Sequence, residues 1–171
     1  MSRREPDHVD RITEQWKKEL PRLPVRAMGL IARLGMLARV GEQRIEAELD
    51  RFGLKLGEFD VLSALRRSGA PYEVTPTQLY RLLMLSSGAM TNRLDRLEQA
   101  GLVQRKDDPE DRRGYRVTLT AKGKQLIEKA IVAHVENEER MVSALTVAEQ
   151  EQLDGLLRKL LGAAFPPPER D

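Results

Sequence analysis

The chain has 171 residues, of which 33% are charged and 4% aromatic, and a formal net charge of +2. Such a composition describes a mainly helical protein with extended solvated faces rather than a β-sandwich, and so small a net charge does not by itself mark a nucleic-acid binder. With no cysteine and only His8 and His134, the chain offers no disulfide, no thiolate metal site, no thiol redox sensor and no histidine-rich metal site.

In chain order, the N-terminus MSRREPDHVD lacks the apolar segment of a signal peptide. No apolar run approaches the roughly 20 residues that span a bilayer. A cytoplasmic, nucleoid-associated protein without a membrane partner is therefore expected. Residues 7–20 place Val9, Ile12, Trp16 and Leu20 on one helical face, and Pro21 and Pro24 end that helix. A long helical pattern from Val25 to Phe52 follows, with Met28, Ile31, Leu34, Leu37, Ala38, Ile45 and Leu49 as its apolar set. Gly29, Gly35 and Gly41 fall inside it, where they allow close helix approach or a bend. Gly53 fits a C-cap.

Gly57–Arg67 predicts a helix with Phe59, Leu62 and Leu65 inward. Thr75-Pro76-Thr77-Gln78 is a start signal for a short helix to about Leu83: threonine as N-cap, proline at the first helical position and glutamine three residues after the cap. Ser86 or Ser87 caps the next helix, which stops at Gly101. Leu102–Lys106 and Tyr115–Leu119 are the strands of a hairpin tipped DPEDRRG. Thr120 caps a long helix to about Arg140, and Thr146 with Glu149 opens a last amphipathic helix that fades before Phe165 and Pro166.

Two short helices followed by a charged hairpin form a winged helix-turn-helix. The expected fold is mainly α with a small β-wing. Residues 1–52 supply an N-terminal extension and dimerisation helix, 53–120 the DNA-binding domain, 121–165 C-terminal dimerisation helices and 166–171 a tail. The flanking helices carry Val135, Met141, Leu145, Leu153, Leu156, Leu157, Leu160 and Leu161, too much apolar surface for so small a module. A second copy of the chain covers them economically, since operators are commonly two-fold symmetric. An intrachain helical bundle is the alternative.

On the helical wheel of the second short helix, Leu94 and Leu97 fall within about 40° of Met90, leaving Gly88, Asn92, Asp95 and Gln99 opposite and Thr91 and Arg96 on the flanks. Ser87, Thr91 and Asn92 suit contacts to bases or phosphates, and Arg96 suits phosphate or guanine. Arg112 and Arg113 sit in the acidic turn of Asp107, Asp108, Glu110 and Asp111, placed to reach a neighbouring minor groove. Arg93 falls about 60° from Met90, at the shoulder of the buried stripe, where it is expected to enter the cleft between helices and bind a carboxylate-like anion.

SSGAMTNRLDRLEQAGLV, the DPEDRR wing and the VTLTAKGK that follows resemble the MarR (multiple antibiotic resistance regulator) family, with similarity from about Val25 to Leu161. The resemblance implies a homodimer joined through its terminal helices, a palindromic double-stranded DNA operator and repression relieved by a small ligand. It is narrower toward a urate-responsive branch with an extra N-terminal helix. That branch implies an anionic effector, urate/purine or tricarboxylate-like, bound between the dimerisation helices and the DNA-binding lobe. Its ligand set would be Trp16, Asp60, Arg93 and Arg105, with Asp60 paired to Arg105. By pattern alone Trp16 could simply pack, Asp60 could be solvated, and Arg105 could contact phosphate.

Other readings are a ligand-independent constitutive operator binder and a winged-helix protein-interaction adaptor. An enzyme is not expected, because there is no Ser-His-Asp set, metal cluster or phosphate-cradling glycine loop, and no cofactor is implied beyond the small effector. Glu136, Glu138 and Glu139 read as a solvated acidic turn.

Overall fold

The computed structural model describes residues 5–83 and 87–164, apart from the side chains of Ser87, Ala89, Arg112 and Arg113. Among the described residues the order is α1 (His8–Glu19), α2 (Arg26–Asp50), α3 (Leu56–Arg67), β1 (Glu73–Val74), α4 (Pro76–Leu83), α5 (Ser87–Gln99), β2 (Val103–Asp108), β3 (Asp111–Leu119), α6 (Ala121–Val142) and α7 (Val147–Ala164). They fall into two compact units, Met1–Ala47 and Glu48–Asp171.

In the first unit, α1 begins with a reciprocal cap. The Asp7 carboxylate accepts from the Asp10 backbone N–H at 2.8 Å, and the Asp10 carboxylate accepts from that of Asp7 at 3.0 Å. Arg33 of α2 ties both carboxylates down, donating from Nε to Asp7 at 2.7 Å and from Nη2 to Asp10. Its guanidinium holds the Asp7 carboxyl well below the usual range. Gly29 sits beneath this crossing, where an added Cβ would meet Thr13 at 3.4 Å and Val9 at 3.7 Å. Close helix approach is thus the use of Gly29, whereas Gly35 and Gly41 face open space. Of the apolar set of α2, Met28, Ile31 and Leu37 are exposed, while Leu49 at its end is buried. Trp16 is 42% exposed.

The core of the second unit is α3 with the sheet and α5. Phe59, Val61, Leu62 and Leu65 of α3 are buried, as are Leu49 and Leu54 before it. The antiparallel sheet has the order β1-β3-β2, so β3 is central. Val117 pairs with Val74 on one side and Arg105 on the other, and is fully buried. Strand β1 is an addition to the two strands expected from sequence; with two residues it is too short to show any alternation. It is led in by Tyr72, whose φ of 62° is uncommon for a residue with a Cβ. The Tyr72 carbonyl accepts from Leu119 N at 3.0 Å, and its ring lies against Arg66 and Lys124.

The caps of α6 and α7 read from sequence are present, whereas the α5 cap expected at Ser86 or Ser87 lies outside the described residues. Thr120 Oγ1 accepts from Gly123 N at 3.0 Å, and Thr146 and Glu149 form their reciprocal pair at 2.8 and 3.4 Å. Gly101 ends α5 with a φ of 70°. No residue of α7 is buried, and Leu153, Leu156, Leu160 and Leu161 are exposed.

Gly123 is the tightest backbone contact of this unit: a Cβ there would lie 2.0 Å from the Leu102 carbonyl oxygen. Gly123→Ala is expected to pry α6 from the start of β2 and cost about 1–3 kcal/mol. Denaturant midpoints compared with wild type check this; an unchanged midpoint would contradict the contact.

Candidate nucleic-acid interface

The helix-turn-helix starts where its residues predict. Gln78 N donates to Thr75 Oγ1 at 3.3 Å, and Thr75 N donates to Gln78 Oε1 at 2.8 Å. Leu79 anchors α4. In α5, Met90, Leu94 and Leu97 are all buried to within 1% of full enclosure, each worth about 1.5–3 kcal/mol of burial. That stripe fixes the rotation of the helix. Gly88, Thr91, Asn92, Arg96 and Gln99 are consequently exposed, the face expected to meet a groove. Ser87 opens α5, but its side chain lies outside the described residues, as do those of Arg112 and Arg113 in β3.

Two arginines, Arg116 and the ligand candidate Arg105, build the support for the wing. Arg116 donates from Nε to Asp108 at 3.0 Å and from Nη2 to Glu110 at 3.1 Å, and its Nη1 lies 3.6 Å from Glu73 of β1. Asp108 in turn accepts from Glu110 N at 3.0 Å, closing the hairpin tip. That backbone donor and Arg116 hold the Asp108 carboxyl below its ordinary value. Arg105 of β2 binds the back of α5, with Nη1 2.6 Å from Glu98 and Nη2 2.5 Å from Asp95. Its backbone N–H also donates to Glu98 at 3.0 Å, and its guanidinium lies 5.4 Å from the Tyr115 ring centre. The pairing of Arg105 with Asp60 that the resemblance implies is therefore not the arrangement found: Asp95 and Glu98, one helical turn apart, capture the guanidinium first.

Arg93 sits at the shoulder of the buried stripe and turns toward α3. Its guanidinium lies over Gly57, so close that a Cβ there would fall 2.2 Å from Cζ. Asp60, one turn along α3, is half-buried. Burial pushes its carboxyl up, while the charges of Arg93, His134 and Arg67 pull it back down. The His134 ring of α6 lies against Phe59, centroids 4.7 Å apart and tilted by 48°, and places Nε2 3.2 Å from Glu138. Arg93 and Asp60 thus meet electrostatically within this unit. Trp16 belongs to the other unit.

The folded protein holds the Asp60 proton to higher pH than the unfolded chain does, so ionisation costs stability as pH rises through that interval. Asp60→Asn is expected to be more stable than the parent at pH 7, with the difference narrowing as pH falls into the ordinary carboxylate range. Paired denaturation curves at both pH values check this. A variant less stable at pH 7 would mean that Arg93 outweighs burial.

These elements are shared with known proteins. The profile of the MarR family matches residues 52–114. The chain is 37% identical to the HTH-type transcriptional regulator PecS of Dickeya dadantii, over 89% of this chain and 92% of that protein. It is 31% identical to the multiple antibiotic resistance protein MarR of Escherichia coli, over 75% and 90%. The crystal structure of a mutant E. coli MarR complexed with operator DNA superposes with a TM-score of 0.70 at 26% identity, covering 85% of this chain and 97% of that one. With its capped α4, its α5 and its wing in the same order, the chain belongs to the MarR family of DNA-binding transcriptional regulators.

Proposed function

We propose that the chain is a homodimeric repressor that binds a palindromic operator through α5 and the wing and releases it when a small anion binds. The observation that carries this reading is the division of α5 into two working sides. Thr91, Asn92 and Arg96 are exposed together, whereas Arg93 leaves that face and lies over Gly57 beside Asp60. Thr91 and Asn92, early in the helix, have the size and hydrogen-bonding groups that base-edge contacts need, with Ser87 beside them in the chain. Arg112 and Arg113 at the wing tip supply minor-groove or phosphate contacts. The operator complex of the E. coli relative supports the same docking mode.

Dimerisation is supported by the apolar residues left exposed. Leu153, Leu156, Leu160 and Leu161 of α7 and Ile31 and Leu37 of α2 need cover, and a second copy supplies it with the symmetry a palindrome requires. No described helix is long and apolar enough to cross a membrane. A regulator of chromosomal operators works in the cytoplasm, at the nucleoid.

For the effector, Arg93 is the anchor. A planar guanidinium binds a carboxylate or a urate-like oxygen pair bidentately. An anion there would cancel the Arg93 charge that partly offsets the burial of Asp60, and would face the Asp60 carboxylate directly. Both changes fall on the α3–α5 contact that sets the position of the DNA-facing side. Arg105 would join such a site only by leaving Asp95 and Glu98. Trp16, the single tryptophan, supplies the fluorescence by which binding is followed.

The test titrates urate, xanthine, citrate and aconitate against Trp16 fluorescence and against release of a duplex selected by the wild-type protein from a random-sequence library. At least one anion is expected to give saturable responses in both. Arg93→Ala is expected to abolish the release and leave the fold intact. Gly57→Ala should do the same by displacing the guanidinium, at small cost because only the far end of a flexible side chain has to move. Silence from all four anions favours the ligand-independent operator binder.

A further inference from the structure

We propose that Glu58 is a positioning residue for DNA recognition: it grips Arg96 by one edge of the guanidinium and so presents the opposite edge to the groove. The proposal rests on the reading of Arg96 as a DNA contact and adds to it how that contact is aimed.

Glu58 is the third residue of α3 and is only 8% exposed, unusual for a carboxylate. One oxygen is fixed, because Oε2 accepts from the Lys55 backbone N–H at 2.9 Å. The other, Oε1, lies 3.4 Å from Arg96 Nε. That bond and its burial favour this rotamer of the carboxylate over one in solvent. Glu58 is a post at the start of α3, reaching across to the C-terminal half of α5.

Arg96 differs from its post in one respect. Its side chain remains 62% exposed although it is ion-paired. A guanidinium has five N–H donors in a planar fork. Holding it at Nε leaves the outer edge, built from Nη1 and Nη2, free to meet two acceptors at once, as a guanine or a phosphate offers. A long side chain that is already oriented loses less freedom on binding. The buried charge has a second effect. Glu58 offsets the positive charge of Arg96, so the pair attracts any DNA less strongly while retaining its directional bonds. The consequence is sharper discrimination rather than greater general affinity.

Two arginines of this unit, Arg105 and Arg116, are bound differently, while Arg66 and Arg140 each meet a single carboxylate away from α5, Glu128 and Glu48. Arg105 and Arg116 each spread their nitrogens over two or three carboxylates and are mostly enclosed. They brace. Arg96 is held at one point and otherwise open, as a reading residue has to be.

The experiment compares binding to a duplex selected from a random library by wild-type protein with binding to a scrambled duplex, at one salt concentration. The readout is the ratio of the two affinities. Glu58→Gln keeps an acceptor for the Lys55 N–H, so its melting temperature should stay near wild type, and its ratio should fall about three- to tenfold. In an Arg96→Ala background, which lowers the ratio on its own, Glu58→Gln should cause no further fall. Arg96→Lys should lower the ratio with Glu58 intact, since an ammonium cannot bind the post and present a fork as well. Glu58→Asp, which keeps the charge but draws the carboxylate back from Arg96, should lower the ratio in the same way and decides the matter if Glu58→Gln proves unstable. A ratio unchanged by Glu58→Gln, or by Arg96→Lys, while Arg96→Ala lowers it would reduce Glu58 to a tether between helices and overturn the proposal. A ratio unchanged by Arg96→Ala would instead remove Arg96 from the DNA contact, and the proposal would fall with that reading.

Discussion

The burial of Met90, Leu94 and Leu97 against α3 and the sheet is the constraint on which the rest depends. Three side chains at helical spacing on one stripe leave α5 a single rotation about its axis. Everything functional in the helix is then set by residue number. Thr91, Asn92 and Arg96 are exposed, Arg93 is sent toward Gly57, and Asp95 and Glu98 come within reach of the wing strand. A helix free to rotate by even one residue's angle, about 100°, would exchange the reading face for the shoulder.

Charge carries the same order outward. Arg105 ties β2 to α5, and Arg116 ties the hairpin tip to both Asp108 and Glu73. The wing tip is therefore held from two sides through ion pairs, not through apolar packing, as expected of a segment that must stay solvated and polar to approach DNA. These pairs are partly exposed and screened by solvent. Their value is geometric. Asp108 and Glu110 of the wing, which weigh against nucleic-acid binding in a count of charges, are consumed in positioning, and +2 for the whole chain understates the basic character of the reading side.

What could be read from the residues in advance was local. Thr75 with Gln78, Thr120 with Gly123, Thr146 with Glu149 and the stop at Gly101 all act within three or four residues, and capping chemistry has that reach. The buried stripe of α5 was legible for the same reason. Strand β1 was not, since two residues beside β3 acquire a strand's geometry from a partner 45 positions away in the chain. The partners of Arg33, Arg96, Arg105 and Arg116 were also invisible, because they depend on which elements meet. Asp60 had the appearance of a solvated residue by spacing, and only the packing of α3 enclosed it. Whether Asp60 meets Arg105 was likewise not legible in the sequence, and Arg105 is engaged by Asp95 and Glu98 of α5 instead.

The central claim is that the rotation of α5 makes its exposed early turn the sequence-reading surface. Asn92 tests it most directly, being exposed and hydrogen-bonding, and truncation at such a site removes no buried contact. The measurement is the affinity of Asn92→Ala for the duplex that wild-type protein selects from a random library, with the melting temperature as control. A loss of about tenfold or more at an unchanged melting temperature is expected, the worth of one base contact. An affinity equal to wild type would contradict it.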